Sequence, residues 1–585
     1  MNTDWNLEKH FFNSINDEKI TQIIEDTKIK TEEFILKWKN KIATADISEF
    51  KKFLTEYPLL FKPLSKVYCY FSYLSTLDTQ DQEVLQKIGE ISSLYSDLAK
   101  KLLFITEEYK LIGEDKLFEM SNSPELLEYK NSLINEANNL KYTLSEETEE
   151  ALIEKSQVIS IFKKIYSELT NSFEYNFKGE MMTRADVSAK RESEISDERK
   201  EAFDSINNKF GEIQNQIVLG GLYKSVCKNN VSEIKNRNYS GVMTTRNLME
   251  EMDDDCVNFL LDTIRKNFTL YHKFLKIKAK LIGKDKLDYY DIFAPVPKPE
   301  NEQEISFQNG LEFYFDKISK FDSEFLDYSK EIFEDERVSV FPRKGKQDGA
   351  YASYDKGEKS FVMLNWTNDL SSIMTMSHEL GHAIHGWYSQ IQPEQVYHSP
   401  LSLAETASIF NECLVFEELM KTVSNEEKNY YLCKKLDDYF STTFRQVMYT
   451  LFERECHSRF LEGEELSYKN FNDIWYKYLV ELYGDSVNLS DNMKYGWSSI
   501  PHIFKTPFYC YAYSFGNTLS FNLYQMYKVS ENVDEFKANY KDILKSGGSV
   551  RPKELLAKYN IDIQSDNFYQ NSFAFVENML TQITF

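Results

Sequence analysis

The chain has 585 residues, with 69 Lys and Arg against 93 Asp and Glu; the net charge of -24 repels nucleic-acid phosphates and anionic lipid headgroups and argues against both as partners. Gly (20) and Pro (12) each fall below half their usual shares of about 7% and 5%, so turns are few and elements long, which predicts a mainly α fold. An apolar fraction of 42%, with 42 Phe and 38 Tyr, is too high for disorder, and no apolar run reaches the roughly 18 residues needed to span a bilayer.

At about 150 residues per domain the length allows three or four units. Met1 to His10 has neither the basic start nor the apolar stretch of a secretory leader. Cys69, Cys227, Cys256, Cys413, Cys433, Cys456 and Cys510 never fall in a Cys-x-x-Cys spacing. Together these predict a cytoplasmic protein with reduced thiols, and neither a disulfide framework nor a thiolate zinc site.

From about Trp5 to Leu140, apolar residues recur at spacings of three and four, as in Leu98, Leu102, Ile105 and Tyr109, the pattern of amphipathic helices. Thr143-Leu144-Ser145-Glu146 is arranged as a capping box and announces another helix. The charged stretch from Arg184 to Lys200 is the candidate boundary or exposed connection, which divides the chain into regions ending near 185 and beginning near 200. Three alternating prolines, Pro295, Pro297 and Pro299, forbid helix and predict an extended connector. Sheet is expected in one place, where Val338 to Phe341 and Ser360 to Trp366 bracket a polar stretch containing Gly345, Gly349 and Gly357. Gly547-Gly548 marks a turn before the last helical segment.

Directly after that sheet region lies His378-Glu379-Leu380-Gly381-His382, a His-Glu-x-x-His motif. On a helix, residues four apart stand one above the other, so His378 and His382 can present two imidazoles to one zinc ion. Glu379 then sits beside the open coordination position, where a general base for water is needed. A structural site would be closed by further Cys or His ligands, and no cysteine lies near. The metzincin pattern requires Gly three positions and His six positions after the second motif histidine; His385 and Tyr388 stand there, so that class is excluded.

The remaining solution is a glutamate from a following helix, and Pro400 to Glu412 supplies Glu405 and Glu412. Glu405, among Leu403, Ala404, Ala407 and Ile409, would be costly to bury unless a cation meets it, and is taken as the third ligand. Glu412, two turns on, could accept from a ligand histidine and orient it.

These segments resemble the zinc oligopeptidases that include thimet oligopeptidase, and among them the bacterial oligoendopeptidase F branch. The likeness rests on His378 to His382, on Ala404-Glu405-Thr406-Ala407-Ser408 with Asn411-Glu412, and upstream on Pro342 to Lys346 with Gly349-Ala350-Tyr351. It continues through Ser499-Ile500-Pro501-His502, the tyrosines Tyr509, Tyr511 and Tyr513, and Gly547-Gly548-Ser549 with Pro552 to Leu556. It is specific from about residue 200 to the end, whereas the first 110 residues match in length and helical character alone. The resemblance implies a two-lobed, helical, zincin-like metallopeptidase with a small β-sheet beside the metal-binding helix and a deep channel. Its divisions would be an N-terminal helical region (1–110), an oligopeptidase F N-terminal-type lobe (111–185) and a catalytic domain (200–585). The implied activity is zinc-dependent endopeptidase cleavage of short peptides.

For such a reaction Glu379 would take a proton from the attacking water and pass it to the leaving amine. His502, Tyr509 and Tyr513 fall seven and four apart, which would align them on one helix face as oxyanion donors, although Pro507 interrupts the segment. Tyr511 is the rival donor. His385, His398 and His457 are off ligand spacing and read as ordinary surface or core histidines. The strand from Phe361 to Trp366, if at an edge, could pair with an extended substrate backbone and tolerate varied side chains. Two readings compete: a helical zinc carboxypeptidase, and a peptide-binding protein without catalysis, which the intact Glu379 argues against. Monomer and homodimer both remain open.

Overall fold

The computed structural model describes residues 3–298 and 304–585. Helices dominate throughout, as the scarcity of Gly and Pro predicts, and three short sheets complete the architecture. None of the described helices is long and apolar enough to cross a membrane.

The first 140 residues form a run of helices that builds two small cores beside the main one. Leu98, Leu102, Ile105 and Tyr109 are all buried, but the chain breaks between Gln82–Lys101 and Phe104–Ile112. Leu98 therefore packs into one of these cores and the other three into its neighbour. The core holding Leu98 also contains Phe361 and Met363 of the sheet that precedes the His-Glu-x-x-His helix. Backbone and side-chain bonds reinforce the junction: Val340 N–H donates to the Thr3 carbonyl (2.9 Å), and Trp5 Nε1 donates to the Val362 carbonyl (2.9 Å). The N-terminal helices are thus anchored on the back of the sheet.

That sheet has three strands, β1 (Val338–Ser339), β2 (Tyr351–Ser353) and β3 (Phe361–Met363). Strand β3 is central, parallel to β1 with Val338 opposite Val362, and antiparallel to β2 with Ala352 opposite Val362. It is buried along its length and central, so it does not meet the condition of lying at an edge; β2, inside the glycine-bearing polar stretch, takes an edge. Two further sheets were not anticipated: a hairpin of Tyr175–Phe177 and Glu180–Met182, and a parallel pair of Leu287–Asp288 with Val487–Asn488.

The stretch from Arg184 to Lys200 is largely exposed or half-buried, as its charge suggests, but it is helical for most of its length. It forms a short helix (Arg184–Ala189) and opens a longer one (Ser196–Gly211). Arg199 is buried and pairs with the fully buried Asp291 at 2.6 Å, whereas Asp186, Glu192, Glu194, Asp197 and Lys200 of the same stretch are exposed. A helix starts at Glu146; Ser145, not Thr143, holds the N-cap position, and its side chain makes no capping hydrogen bond. Beyond the short turn Tyr289–Asp291 the chain carries no helix or strand up to Lys298, as two of the three prolines require; Pro299 lies outside the described residues. At the Gly547-Gly548 turn, Gly547 has φ +49° and Gly548 N–H donates to the Val396 carbonyl (2.8 Å). All seven cysteines are free.

Candidate active site

The motif helix, α1 (Leu370–Tyr388), is capped by Asp369, whose side chain accepts from Ser372 N–H at 2.8 Å. Ile373, Met376, Leu380, Ala383 and Ile384 bury one face. The next long helix, α2 (Thr406–Leu419), crosses α1 at Gly381. A Cβ on Gly381 would stand 2.5 Å from the Ala407 carbonyl oxygen and from Ser408 Cα, so only glycine permits this approach. Asn411 fastens the same crossing by donating to the Ser377 carbonyl (2.5 Å) and the Tyr314 hydroxyl (3.1 Å).

The crossing brings together the three residues singled out by spacing. His378 Nε2 and His382 Nε2 each lie 3.3 Å from Glu405 Oε2, and one ligand atom from each residue lies within 4.8 Å of the others. Glu405 is not in the body of a helix; it occupies the break between Leu401–Ala404 and α2, where Ser408 Oγ donates to its Oε2 at 2.7 Å. Two imidazoles and a carboxylate, converging with a side left open to a cavity of about 780 Å³, fit a zinc ion with a free coordination position. Among the described residues this is the one cluster able to hold a metal.

Further charged groups stand behind the first histidine. Glu412, on α2, approaches His378 Nδ1 at 3.3 Å and pairs through its other oxygen with Lys435, which is 7% exposed. Burial would raise the Glu412 carboxyl, but Lys435 and His378 outweigh it and hold it at about 2. Lys435 comes from Asn425–Phe440, a charged helix that nothing in the sequence distinguished from a solvated one. Asp438, one turn later, also lines the cavity, and burial raises its pKa.

Glu379 is 7% exposed and borders the cavity. Burial raises its pKa against the pull of His378 and His382. Its carboxylate accepts a hydrogen bond from the backbone of Ala352 on β2, so the edge strand runs beside it, with Gly349 and Ala350 lining the cavity.

His502, Tyr509 and Tyr513 do come together, but not on one helix face. His502 belongs to the short helix Pro501–Lys505, Tyr509 immediately precedes the helix α3 (Cys510–Val529), and Tyr513 stands within α3. The turn between the two helices passes through Phe508 at φ +60°, and Phe508 N–H donates to the buried Glu453 Oε1 at 2.9 Å. Burial pushes the Glu453 carboxyl up to about 8. The result stacks the His502 and Tyr509 rings 5.7 Å apart and sets Tyr513 edge-on to Tyr509 at 5.0 Å. Tyr513 lines the cavity and α3 passes close to Glu405, where a Cβ on Gly516 would lie 3.3 Å from that residue's Cβ. Tyr511 points into the core, fully buried, with no partner for its hydroxyl. His385 and His457 are buried histidines outside the cluster.

Comparison with known proteins agrees with this geometry. The Peptidase family M3 model matches residues 190–575, and the Oligopeptidase F model matches residues 108–173. Oligopeptidase PepF of Bacillus subtilis is 27% identical over 547 residues, spanning 90% of this chain and 79% of that protein. An oligoendopeptidase F homolog of Borreliella burgdorferi is 27% identical over 599 residues, spanning 100% and 98%. The fold matches the crystal structure of a Chlamydophila abortus protein assigned as a peptidase, with a TM-score of 0.86 at 22% identity, over 99% of this chain and 98% of that one. With a family model covering most of the chain and the whole length aligned to its relatives, the protein belongs to peptidase family M3 and is a metallo-endopeptidase.

Proposed function

We propose that the protein hydrolyses internal bonds of short oligopeptides, using one zinc ion held by His378, His382 and Glu405, with Glu379 as general base. The observation that carries this reading is the convergence of the three ligand atoms beside a buried glutamate at the wall of a deep cavity. When bound, zinc supplies Lewis acidity to a water and to the scissile carbonyl. Glu379, its pKa raised by burial, takes the proton of the attacking water and returns it to the departing amine. Tyr513 donates to the developing oxyanion; Tyr509 and His502, packed against it, fix the ring's position. Glu412 keeps His378 in the orientation that turns Nε2 toward the metal.

Strand β2 flanks the cavity and can accept an extended peptide as an added strand, which reads main chain and leaves side chains largely free. Seven free thiols support a reducing, cytoplasmic setting. The test is mass spectrometry of an internally quenched peptide blocked at both ends, incubated with wild-type protein, Glu379→Gln, and wild-type protein stripped by a chelator. Internal cleavage by the wild type alone, restored to the stripped protein by zinc, is expected. Removal of residues only from a peptide with a free carboxyl end would instead make it a carboxypeptidase.

A further inference from the structure

The active-site cavity does not end at the metal ligands. On α1 it is lined by Ser371, Ser372, Met374, Thr375, His378 and Glu379, and by no residue after Glu379, so it extends from the ligand cluster toward the start of that helix. Ser371 and His378 are seven residues apart and share a face, and at 1.5 Å per residue they stand about 10 Å apart along the axis. Across the cavity, α2 lines the same stretch with Ile409, Phe416 and Leu419, and the helix Asn425–Phe440 adds Tyr431. An apolar section therefore separates the ligand cluster from the first turn of α1.

Lys434 stands at that far end. It is exposed, it lines the cavity, and its Nζ donates to Ser371 Oγ at 2.5 Å, which fixes its distance from His378. A hydroxyl takes up one of the three N–H donors of an ammonium group and compensates none of its charge. Lys434 forms no ion pair among the described residues, and the acids around it have partners of their own. Asp369 caps α1 through Ser372 and the Thr367 hydroxyl and does not line the cavity. Glu412 pairs with Lys435, the other lysine of the cavity wall. Asp438, one turn on from Lys434, is held by the Thr442 hydroxyl. Lys434 is thus an accessible cation, with two free donors, facing open space at the end of an apolar passage.

We propose that Lys434 is the far end of a substrate subsite and binds a carboxylate of the peptide about three residues from the bond that is cut. The inference rests on the peptidase reading above. An extended chain advances about 3.3 Å per residue, so the 10 Å between His378 and Ser371 accommodates three. The carboxylate is the chain terminus of a peptide that ends there, or the side chain of an Asp or Glu at that position. Intervening apolar side chains lie against Ile409, Phe416 and Leu419. The net charge of -24 acts against any incoming carboxylate, so a preference for one requires a local cation such as this.

Binding without turnover provides the test. Titration calorimetry of Glu379→Gln protein, loaded with zinc, is run with one apolar hexapeptide in three forms: the free acid, the C-terminal amide, and the amide carrying glutamate as its last residue. The free acid is expected to bind about 10-fold more tightly than the plain amide, the scale of a charge-assisted contact. Recovery of that affinity by the glutamate amide assigns the subsite to any carboxylate at this distance, and no recovery assigns it to the chain terminus. The advantage of the acid should fall toward one in Lys434→Gln and survive in Lys434→Arg. Both replace an exposed side chain, which leaves the fold intact. Mass spectrometry of nested free-acid peptides cut by the wild type should place the cleaved bond about three residues from the carboxyl end, and Lys434→Gln should spread the cuts. Equal binding of acid and plain amide by the parent protein overturns the proposal, as does an advantage that Lys434→Gln retains in full. Failure of all three forms to bind the zinc-loaded protein would instead overturn the peptidase reading, so the two failures are told apart.

Discussion

The substitution Gly381→Ala adds one methyl group at the tightest point of the site. The new carbon would lie 2.5 Å from the Ala407 carbonyl oxygen and 2.5 Å from Ser408 Cα. Carbon contacts settle at about 3.5–4.0 Å, so α1 and α2 must part by about 1 Å. No side chain can rotate away, because every clashing atom belongs to the backbone. His382 follows Gly381 directly and Ala407 lies two residues beyond Glu405, so the displacement falls on the ligand set, where metal sites tolerate only about 0.2 Å. Overpacking of this kind costs about 1–3 kcal/mol. The variant should melt lower than wild type without metal and bind zinc about 10- to 100-fold more weakly, as when an orienting partner of a ligand is lost. Competition with a fluorescent chelator measures the second quantity and thermal unfolding of the metal-free protein the first. Gly89→Ala is the control, since a methyl there meets nothing in its helix and should be neutral or stabilising by up to about 1 kcal/mol. A Gly381→Ala protein with wild-type zinc affinity and an unchanged melting temperature would refute the argument.

Other expectations are equally direct. Glu379→Gln should lower kcat by about 100- to 10,000-fold while zinc content, read by elemental analysis, stays at one per chain. Glu412→Gln strands the buried Lys435 and should destabilise the fold by about 3–5 kcal/mol, whereas Glu412→Gln with Lys435→Met should recover stability without recovering zinc affinity; if the double variant binds zinc normally, Glu412 does not orient His378. Tyr513→Phe should reduce kcat with little change in KM, and Tyr511→Phe should leave kcat alone because its hydroxyl bonds to nothing. Glu453 has a folded-state pKa of about 8 against an ordinary 4.5, so its carboxyl stays protonated in the core while the unfolded chain ionises. Its stabilising contribution is complete below pH 4.5 and is lost as pH rises to about 8, at a rate approaching 1.4 kcal/mol per pH unit. Melting temperature against pH should therefore decline less in Glu453→Gln than in wild type across that window, and parallel curves would contradict the assignment.

What could be read in advance follows the range of the interactions. Helix periodicity and the four-residue spacing of His378 and His382 are local, and an acid in apolar company, Glu405, betrays its need for a cation; these were legible. Lys435 and Asp438 were not, because on a helix as charged as Asn425–Phe440 a lysine that pairs inward looks like one that faces water. The strand Tyr351–Ser353 does not stand out by composition from the glycine-bearing polar stretch around it, and whether β3 lies at an edge stays open in the sequence because pairing order is set by topology, not by composition. Spacing rightly grouped His502, Tyr509 and Tyr513 and wrongly assigned the cause: the turn at Phe508, steadied by a distant Glu453, makes the cluster. Arg199 shows the same limit, since its partner Asp291 is 92 residues away.

The bond from Trp5 to the Val362 carbonyl joins positions 357 residues apart, and this sets a timetable for synthesis. At ribosomal rates of about 5–20 residues per second, Trp5 waits roughly 20–70 s after emerging before its acceptor exists. Throughout that interval the apolar side chains of the first helices that later cover Phe361 and Met363 have no surface to lie on, and must be shielded by collapse or by a chaperone. The sheet beside Glu379 is thus finished by the oldest part of the chain, and nascent protein stays without a completed active site until well after its first helices have formed.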